Sequence, residues 1–170
     1  MYNITLIPGD GVGPELTDAT LTAIESTGVK INWEIVEAGA DIIEKHGTPL
    51  PQSVLDSVRK NKIALNGPLT TPIGTGFRSV NVSLRRELDL YCCLRPAKTI
   101  KGVKTRFDDI DLVIVRENTE DLYAGIERQV DKDTAETIKR NTRGASERIA
   151  KYAFDYAVAE GRKKVTSVTK

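Results

Sequence analysis

The chain has 170 residues, 39% of them apolar, which suffices for a packed core in one domain or for two lobes that need more sequence to close. Twenty-five Lys and Arg against twenty-four Asp and Glu leave a formal charge of +1, so the overall field that binds nucleic acid or an anionic membrane is absent. The N-terminus enters Tyr2-Asn3-Ile4-Thr5-Leu6-Ile7 without a charged-then-apolar leader, and no apolar run approaches the roughly twenty residues that span a bilayer. These features predict a cytoplasmic protein with no nucleic-acid or membrane partner.

Apolar runs alternate with helical patterns along the chain. Ile4 to Ile7 reads as a strand and leads into Pro8-Gly-Asp-Gly-Val-Gly-Pro-Glu15, where Pro14 suits a first helical position and Glu15 faces the positive end of the helix dipole. That helix carries Leu16, Ala19, Ala23 and Ile24 on one side and stops at Gly28. Ile31, Trp33 and Ile35 alternate as a second strand, Pro51 opens a helix with Val54, Leu55 and Val58 inward, and Lys62 to Asn66 is a third strand. This βαβ rhythm predicts an α/β fold, a parallel or mixed sheet flanked by helices. Leu90 to Leu94 and Leu112 to Val115 continue as strands. A helix from about Ala145 to Glu160 has Ile149, Tyr152, Ala153, Tyr156 and Ala157 spaced for one buried face, Gly161 ends it, and Lys164 to Lys170 reads as a last strand.

Several conspicuous residues carry modest signals. The loop from Gly9 to Gly13 has the spacing G-x-G-x-G, compatible with a tight strand-to-helix turn or with backbone N–H groups aimed at an anion. Cys92 and Cys93 are adjacent, which seldom permits a disulfide and makes a poor zinc site, so ordinary packing in a reducing compartment is expected. His46, the only histidine, lies in a turn-like stretch, which argues against histidine triads and histidine-rich metal sites.

The arginines are more specific. With Ser79 as cap, Val80, Leu84 and Leu88 form a buried stripe, and Asn81 and Arg85 share a neighbouring face four residues apart. A carboxylate there would meet a hydroxyl, free N–H groups and the dipole together. Arg95 and Arg116 each follow an apolar run, at the strand ends where open α/β sheets bind ligands. Three guanidinium forks and a serine hydroxyl suit a small acid with several carboxylates. The competing reading is surface ion pairing with Glu87, Glu117, Glu120 or Asp121, each pair contributing below about 1 kcal/mol.

Taken in order, Ile7 to Glu15, Gly67 to Pro72, Arg78 to Arg85, Leu94 to Pro96 and Arg116 to Glu127 resemble the β-decarboxylating dehydrogenases acting on isocitrate and 3-isopropylmalate. The resemblance covers nearly the whole chain; through Ser79 and Asn81 it leans toward the isocitrate enzymes, and through Lys98 and the short segment after Glu127 toward the NAD-type among them. It implies an isocitrate dehydrogenase-like fold that is incomplete because the C-terminal half is absent. Residues 1–88 would begin the large domain, and residues 89–170 the small, dimer-forming domain of a homodimer. Ser79, Asn81, Arg85, Arg95 and Arg116 would bind isocitrate, Thr71 would lie near the nicotinamide, Tyr123 would be the general acid, and Lys170 would assist proton removal in the partner's site. The implied reaction is oxidative decarboxylation of isocitrate to 2-oxoglutarate with NAD or NADP and Mg2+ or Mn2+, a step of the tricarboxylic acid cycle. The family's metal-binding aspartates lie beyond this stretch, so none is assigned here, and the 170-residue chain alone is expected to have little activity. The alternatives are a non-catalytic, tricarboxylate-binding regulatory subunit, and a 3-isopropylmalate or homoisocitrate dehydrogenase.

Overall fold

The structure is a computed structural model and describes residues 1–70 and 79–168. The chain divides into two compact units, Met1–Leu88 and Asp89–Lys170.

In the first unit, β1 (Tyr2–Ile7) runs between β2 (Ile31–Ile35) and β3 (Ala64–Asn66), parallel to both, with Thr5 opposite Glu34 on one side and Ala64 on the other. Because β1 is central, Thr5, Leu6 and Ile7 are all buried, the continuous burial expected of an interior parallel strand. Among the described residues this unit also holds a 3-10 turn (Ala40–Ile42) and four α-helices: α1 (Gly13–Ser26), the single turn α2 (Ile43–His46), α3 (Gln52–Asn61) and α4 (Val80–Glu87). The core joins Ile7 of β1 and Ala38 to Val54 and Leu55 of α3 and to Val80 and Leu84 of α4, with Leu88 packed against it. Each fully buried aliphatic side chain contributes about 1.5 to 3 kcal/mol, so this cluster anchors α4 and fixes which of its faces stays polar.

Helix α1 differs from its sequence reading. Its buried residues are Gly13 and Thr17, while Leu16 is 51% exposed and Ala19 and Ala23 also face outward. The Thr17 hydroxyl donates to the Pro8 carbonyl at 2.9 Å and so turns its own face inward, while Ile24 alone of the anticipated apolar residues is half-buried. His46 is the last residue of α2 rather than part of a turn, and it is exposed as expected.

Among its described residues the second unit contains two antiparallel strand pairs and a helix. Strand β4 (Cys92–Lys98) pairs with β5 (Asp111–Glu117), and β6 (Asp121–Gln129) with β7 (Ala135–Arg140). The β6–β7 hairpin has no counterpart in the sequence reading, because its outward face offers little apolar alternation. Helix α5 (Arg143–Ala159) is capped by Thr142, whose hydroxyl accepts from the Ala145 amide, and turns the anticipated Ala157, Ile149, Tyr152, Ala153 and Tyr156 face inward. Tyr152 meets Tyr91 edge-on at 6.2 Å and stacks with Tyr156 at 6.5 Å. Residues 164–168 form no strand, since among the described residues no ladder partner accompanies them. No helix among the described residues is long and apolar enough to cross a membrane.

Candidate active site

In the first unit the candidate polar groups gather on α4. Ser79 occupies the N-cap position, but its side chain makes no capping hydrogen bond, contrary to the sequence reading. Its backbone carbonyl begins the helix instead, accepting from the Ser83 amide at 2.9 Å. Val80 and Leu84 are buried as the stripe requires, which leaves Asn81 and Arg85 half-buried on the adjoining face. The Asn81 carboxamide oxygen accepts from Asn66 Nδ2 at 2.9 Å, so the end of β3 orients it. Thr71 and Lys170 lie outside the described residues, as do Gly76 to Arg78.

In the second unit the strand positions of two arginines differ from expectation. Arg95 lies inside β4 rather than beyond it, Arg116 is the penultimate residue of β5, and the two strands are antiparallel. Strand β4 begins two residues later than the run Leu90 to Leu94 and continues through Pro96, whose missing N–H is accommodated in a strand that pairs only with β5 among the described residues. The ligand-binding rule for open parallel sheets therefore does not govern these residues. Antiparallel register does. Cys93 stands opposite Arg116, and Arg95 is two residues from Cys93, so all three share one face of the hairpin. Arg95 Nε donates to Cys93 Sγ at 3.2 Å. Both cysteines are free and only half-buried, so the packing role expected of them is partial.

Arg116 reaches further. Its Nη2 donates to Tyr123 Oη at 2.9 Å, and its guanidinium carbon lies 5.4 Å from the centre of that ring. The contact fixes the position of the phenol oxygen beside a guanidinium, so the one hydroxyl proton of Tyr123 is held at a defined place.

The ion-pairing alternative can be tested residue by residue. Arg85, Arg95 and Arg116 make no ion pair among the described residues, and three of the four candidate acids, Glu117, Glu120 and Asp121, are engaged elsewhere. Glu117 accepts from the Thr119 hydroxyl at 2.6 Å and from the amides of Thr119 and Glu120. Glu120 accepts from Thr142, and Asp121 pairs with Lys139 at 3.3 Å. Burial pushes the Glu117 carboxyl up, but its hydrogen bonds outweigh that and hold it below the usual carboxylate range. Among the described residues the three guanidinium groups thus keep uncompensated charge, the condition an anionic ligand requires.

The glycine loop resolves in favour of the tight turn. Gly9 adopts φ +84°, and a Cβ there would collide with the Pro68 carbonyl; one on Gly67 would collide with the Pro8 carbonyl. Two of the loop's amides are engaged within the chain, Asp10 N to Pro68 O and Gly13 N to Asp10 O. The loop therefore packs against residues 67–70. Sequence reasoning missed Asp10, the buried carboxylate at the centre of this junction, which accepts from Ala40 N at 2.8 Å and Thr70 N at 2.6 Å. Its position inside a glycine run was the available signal. Among the described residues no three His, Cys, Asp or Glu side chains gather as a group that could hold a metal ion.

Comparison with known proteins places these features. The family model for isocitrate/isopropylmalate dehydrogenase matches residues 3–170. The chain belongs to that family. It is 46% identical over 166 residues to catalytic subunit 5 of mitochondrial NAD isocitrate dehydrogenase from Arabidopsis thaliana, covering 98% of this chain and 44% of that protein. It is 47% identical to a regulatory subunit of mitochondrial NAD isocitrate dehydrogenase from Dictyostelium discoideum, covering 100% of this chain and 46% of that protein. A crystal structure of isocitrate dehydrogenase from Methylococcus capsulatus superposes with a TM-score of 0.88 at 54% identity, covering 96% of this chain and 49% of that one. The fold is thus the isocitrate dehydrogenase fold, and the chain spans about half the length of the curated relatives it matches.

Proposed function

We propose that the whole protein oxidises and decarboxylates isocitrate to 2-oxoglutarate, reducing NAD or NADP. The observation that carries this reading is Arg116: a guanidinium without a carboxylate partner among the described residues that donates to the Tyr123 phenol. In the proposed roles, Arg95, Arg116 and Arg85 take the carboxylates of the substrate, and Ser79 and Asn81 add neutral hydrogen bonds. Oxidation places a ketone β to a carboxylate, loss of carbon dioxide leaves an enolate, and Tyr123 protonates its carbon. Arg116 holds the phenol oxygen in place for this transfer through its 2.9 Å hydrogen bond. A divalent cation, when bound, would stabilise the enolate oxygen. Lys170 and Thr71 keep the roles that the resemblance implies, proton removal from the hydroxyl and contact with the nicotinamide end of the coenzyme. Pairing with a second copy is assigned to residues 89–170, where Leu122, Val130 and Ile138 of the β6–β7 hairpin are about half exposed.

A second reading is a regulatory chain that binds tricarboxylates without turnover. It is favoured by the identity to the Dictyostelium regulatory chain, which equals that to the Arabidopsis catalytic one within a percentage point. Retention of the Arg116–Tyr123 pair weighs against it, since a purely regulatory chain has no use for a proton donor.

Isocitrate-dependent reduction of NAD and NADP by the whole protein, with 3-isopropylmalate as comparator, tests the proposal. Turnover with isocitrate supports it. Faster turnover with 3-isopropylmalate overturns the substrate, and saturable isocitrate binding by calorimetry without turnover selects the regulatory reading.

A further inference from the structure

The chain must reverse between Arg116, near the end of β5, and Tyr123, early in β6, for the two side chains to meet. The reversal is held by one carboxylate. Glu117 Oε2 accepts from Thr119 N at 2.9 Å and Glu120 N at 2.8 Å, and Oε1 accepts from the Thr119 hydroxyl at 2.6 Å. That hydroxyl also accepts from Arg148 Nη2 at 2.8 Å, and the Arg148 guanidinium lies 3.7 Å from Glu117 and bonds both oxygens of Asp89. Arg148 in turn sits 4.6 Å above the Tyr91 ring, and the Tyr91 carbonyl accepts from Asn118 N at 2.9 Å. The turn is thus tied to α5 through Arg148 and to the start of β4 through Tyr91.

None of these bonds touches the three arginines assigned to substrate. Strand alternation puts Glu117, which pairs opposite Cys92, on the face away from Arg116. The same bonds that close the turn therefore keep the carboxylate adjacent in sequence from neutralising Arg116.

We infer that Glu117 is a positioning residue: by closing the 117–120 turn with its carboxylate, it sets the Arg116 to Tyr123 hydrogen bond and keeps Arg116 free for an anionic substrate. The inference rests on the proposed function for its effect on turnover, but not for its effect on geometry. Glu117→Gln removes one of the two acceptor oxygens and the charge facing Arg148, while nearly preserving volume. Thr119→Ala removes only the hydroxyl that relays Glu117 to Arg148 and serves if the first variant fails to fold.

The experiment uses the whole protein with tyrosine labelled at Cζ for NMR, alongside kcat and KM for isocitrate. Glu117→Gln should shift the Tyr123 signal in the same direction as Arg116→Lys and lower kcat by about 10- to 100-fold, the range that small misplacements of a reacting group produce. The double variant with Arg116→Lys should lose less than the product of the single losses. Arg128→Gln, which breaks the β6–β7 ion pair with Glu136 and touches neither residue, should leave the Tyr123 signal in place. Unchanged kcat and Tyr123 signal in both Glu117→Gln and Thr119→Ala, with turnover lost in Arg116→Lys and Tyr123→Phe, would overturn the inference and leave the functional reading intact. Full turnover in Arg116→Lys and Tyr123→Phe would sink the functional reading instead, and the Tyr123 signal would still report whether Glu117 sets the pair.

Discussion

Arg116 Nη2 donates to Tyr123 Oη at 2.9 Å, joining the end of β5 to the start of β6 through side chains seven residues apart. If Tyr123 returns the proton after decarboxylation, Tyr123→Phe keeps the ring beneath Arg116 but removes the phenol. The expected outcome is a loss of kcat of about 100-fold or more with a small change in KM, measured by steady-state turnover of isocitrate. A variant with wild-type kcat would exclude Tyr123 as the proton donor.

Arg85, Arg95 and Arg116 carry no compensating carboxylate among the described residues, so their charge is available to a ligand. Arg85→Lys keeps the charge and loses the planar fork. KM for isocitrate should rise about tenfold while the fold persists, with circular dichroism serving as the control. Higher ionic strength should raise KM in the parent for the same electrostatic reason.

Asn81 is oriented by its 2.9 Å bond from Asn66, an arrangement suited to a polar substrate group. Asn81→Val should lower kcat/KM for isocitrate by about tenfold, the equivalent of one hydrogen bond of about 1.4 kcal/mol, and shift the ratio toward 3-isopropylmalate. Equal losses with both substrates would remove Asn81 from specificity.

Asp10 links the 9–13 loop to Ala40 and Thr70. Burial alone would raise its pKa, but hydrogen bonds from Thr70 and Ala40 outweigh it, and the net shift is below the ordinary value of 3.8. A carboxyl depressed on folding contributes stability above its unfolded pKa and loses it as pH falls through the folded value. Asp10→Asn should therefore destabilise the protein by about 1 to 3 kcal/mol at neutral pH, with the difference shrinking below about pH 4. Urea unfolding across that window measures it, and a pH-independent difference would assign the effect to packing.

Thr142 caps α5 and also donates its amide and hydroxyl to Glu120, both at 2.7 Å. Thr142→Ala removes the cap and leaves Glu120 one donor short. A loss of about 1 to 2 kcal/mol is expected in chemical unfolding. An unchanged midpoint would show that water replaces the hydroxyl.

Much of the fold was legible. Val54 and Leu55, Val80 and Leu84, and the inward residues of α5 sit where apolar spacing put them, because burying aliphatic surface is strong enough to set the phase of a helix. Leu16 failed that rule because Thr17 bonds the Pro8 carbonyl, a contact between segments that periodicity cannot register. Arg95 and Arg116 stand out in the sequence as ligand candidates, but their strand geometry does not, since antiparallel pairing of β4 with β5 depends on which strands meet.

The sequence by itself determined the residue types and their order: family motifs, guanidinium groups in numbers suited to a polyanion, a phenol and the apolar stripe of α4. Those follow from composition and local spacing. Only the tertiary structure decided who partners whom. That Glu117 closes a turn instead of neutralising Arg116, and that the glycine loop is filled by the chain's own carbonyls, depends on distances between atoms far apart along the backbone. Hydrogen bonds and ion pairs act over a few ångströms in space, and sequence separation does not measure that distance.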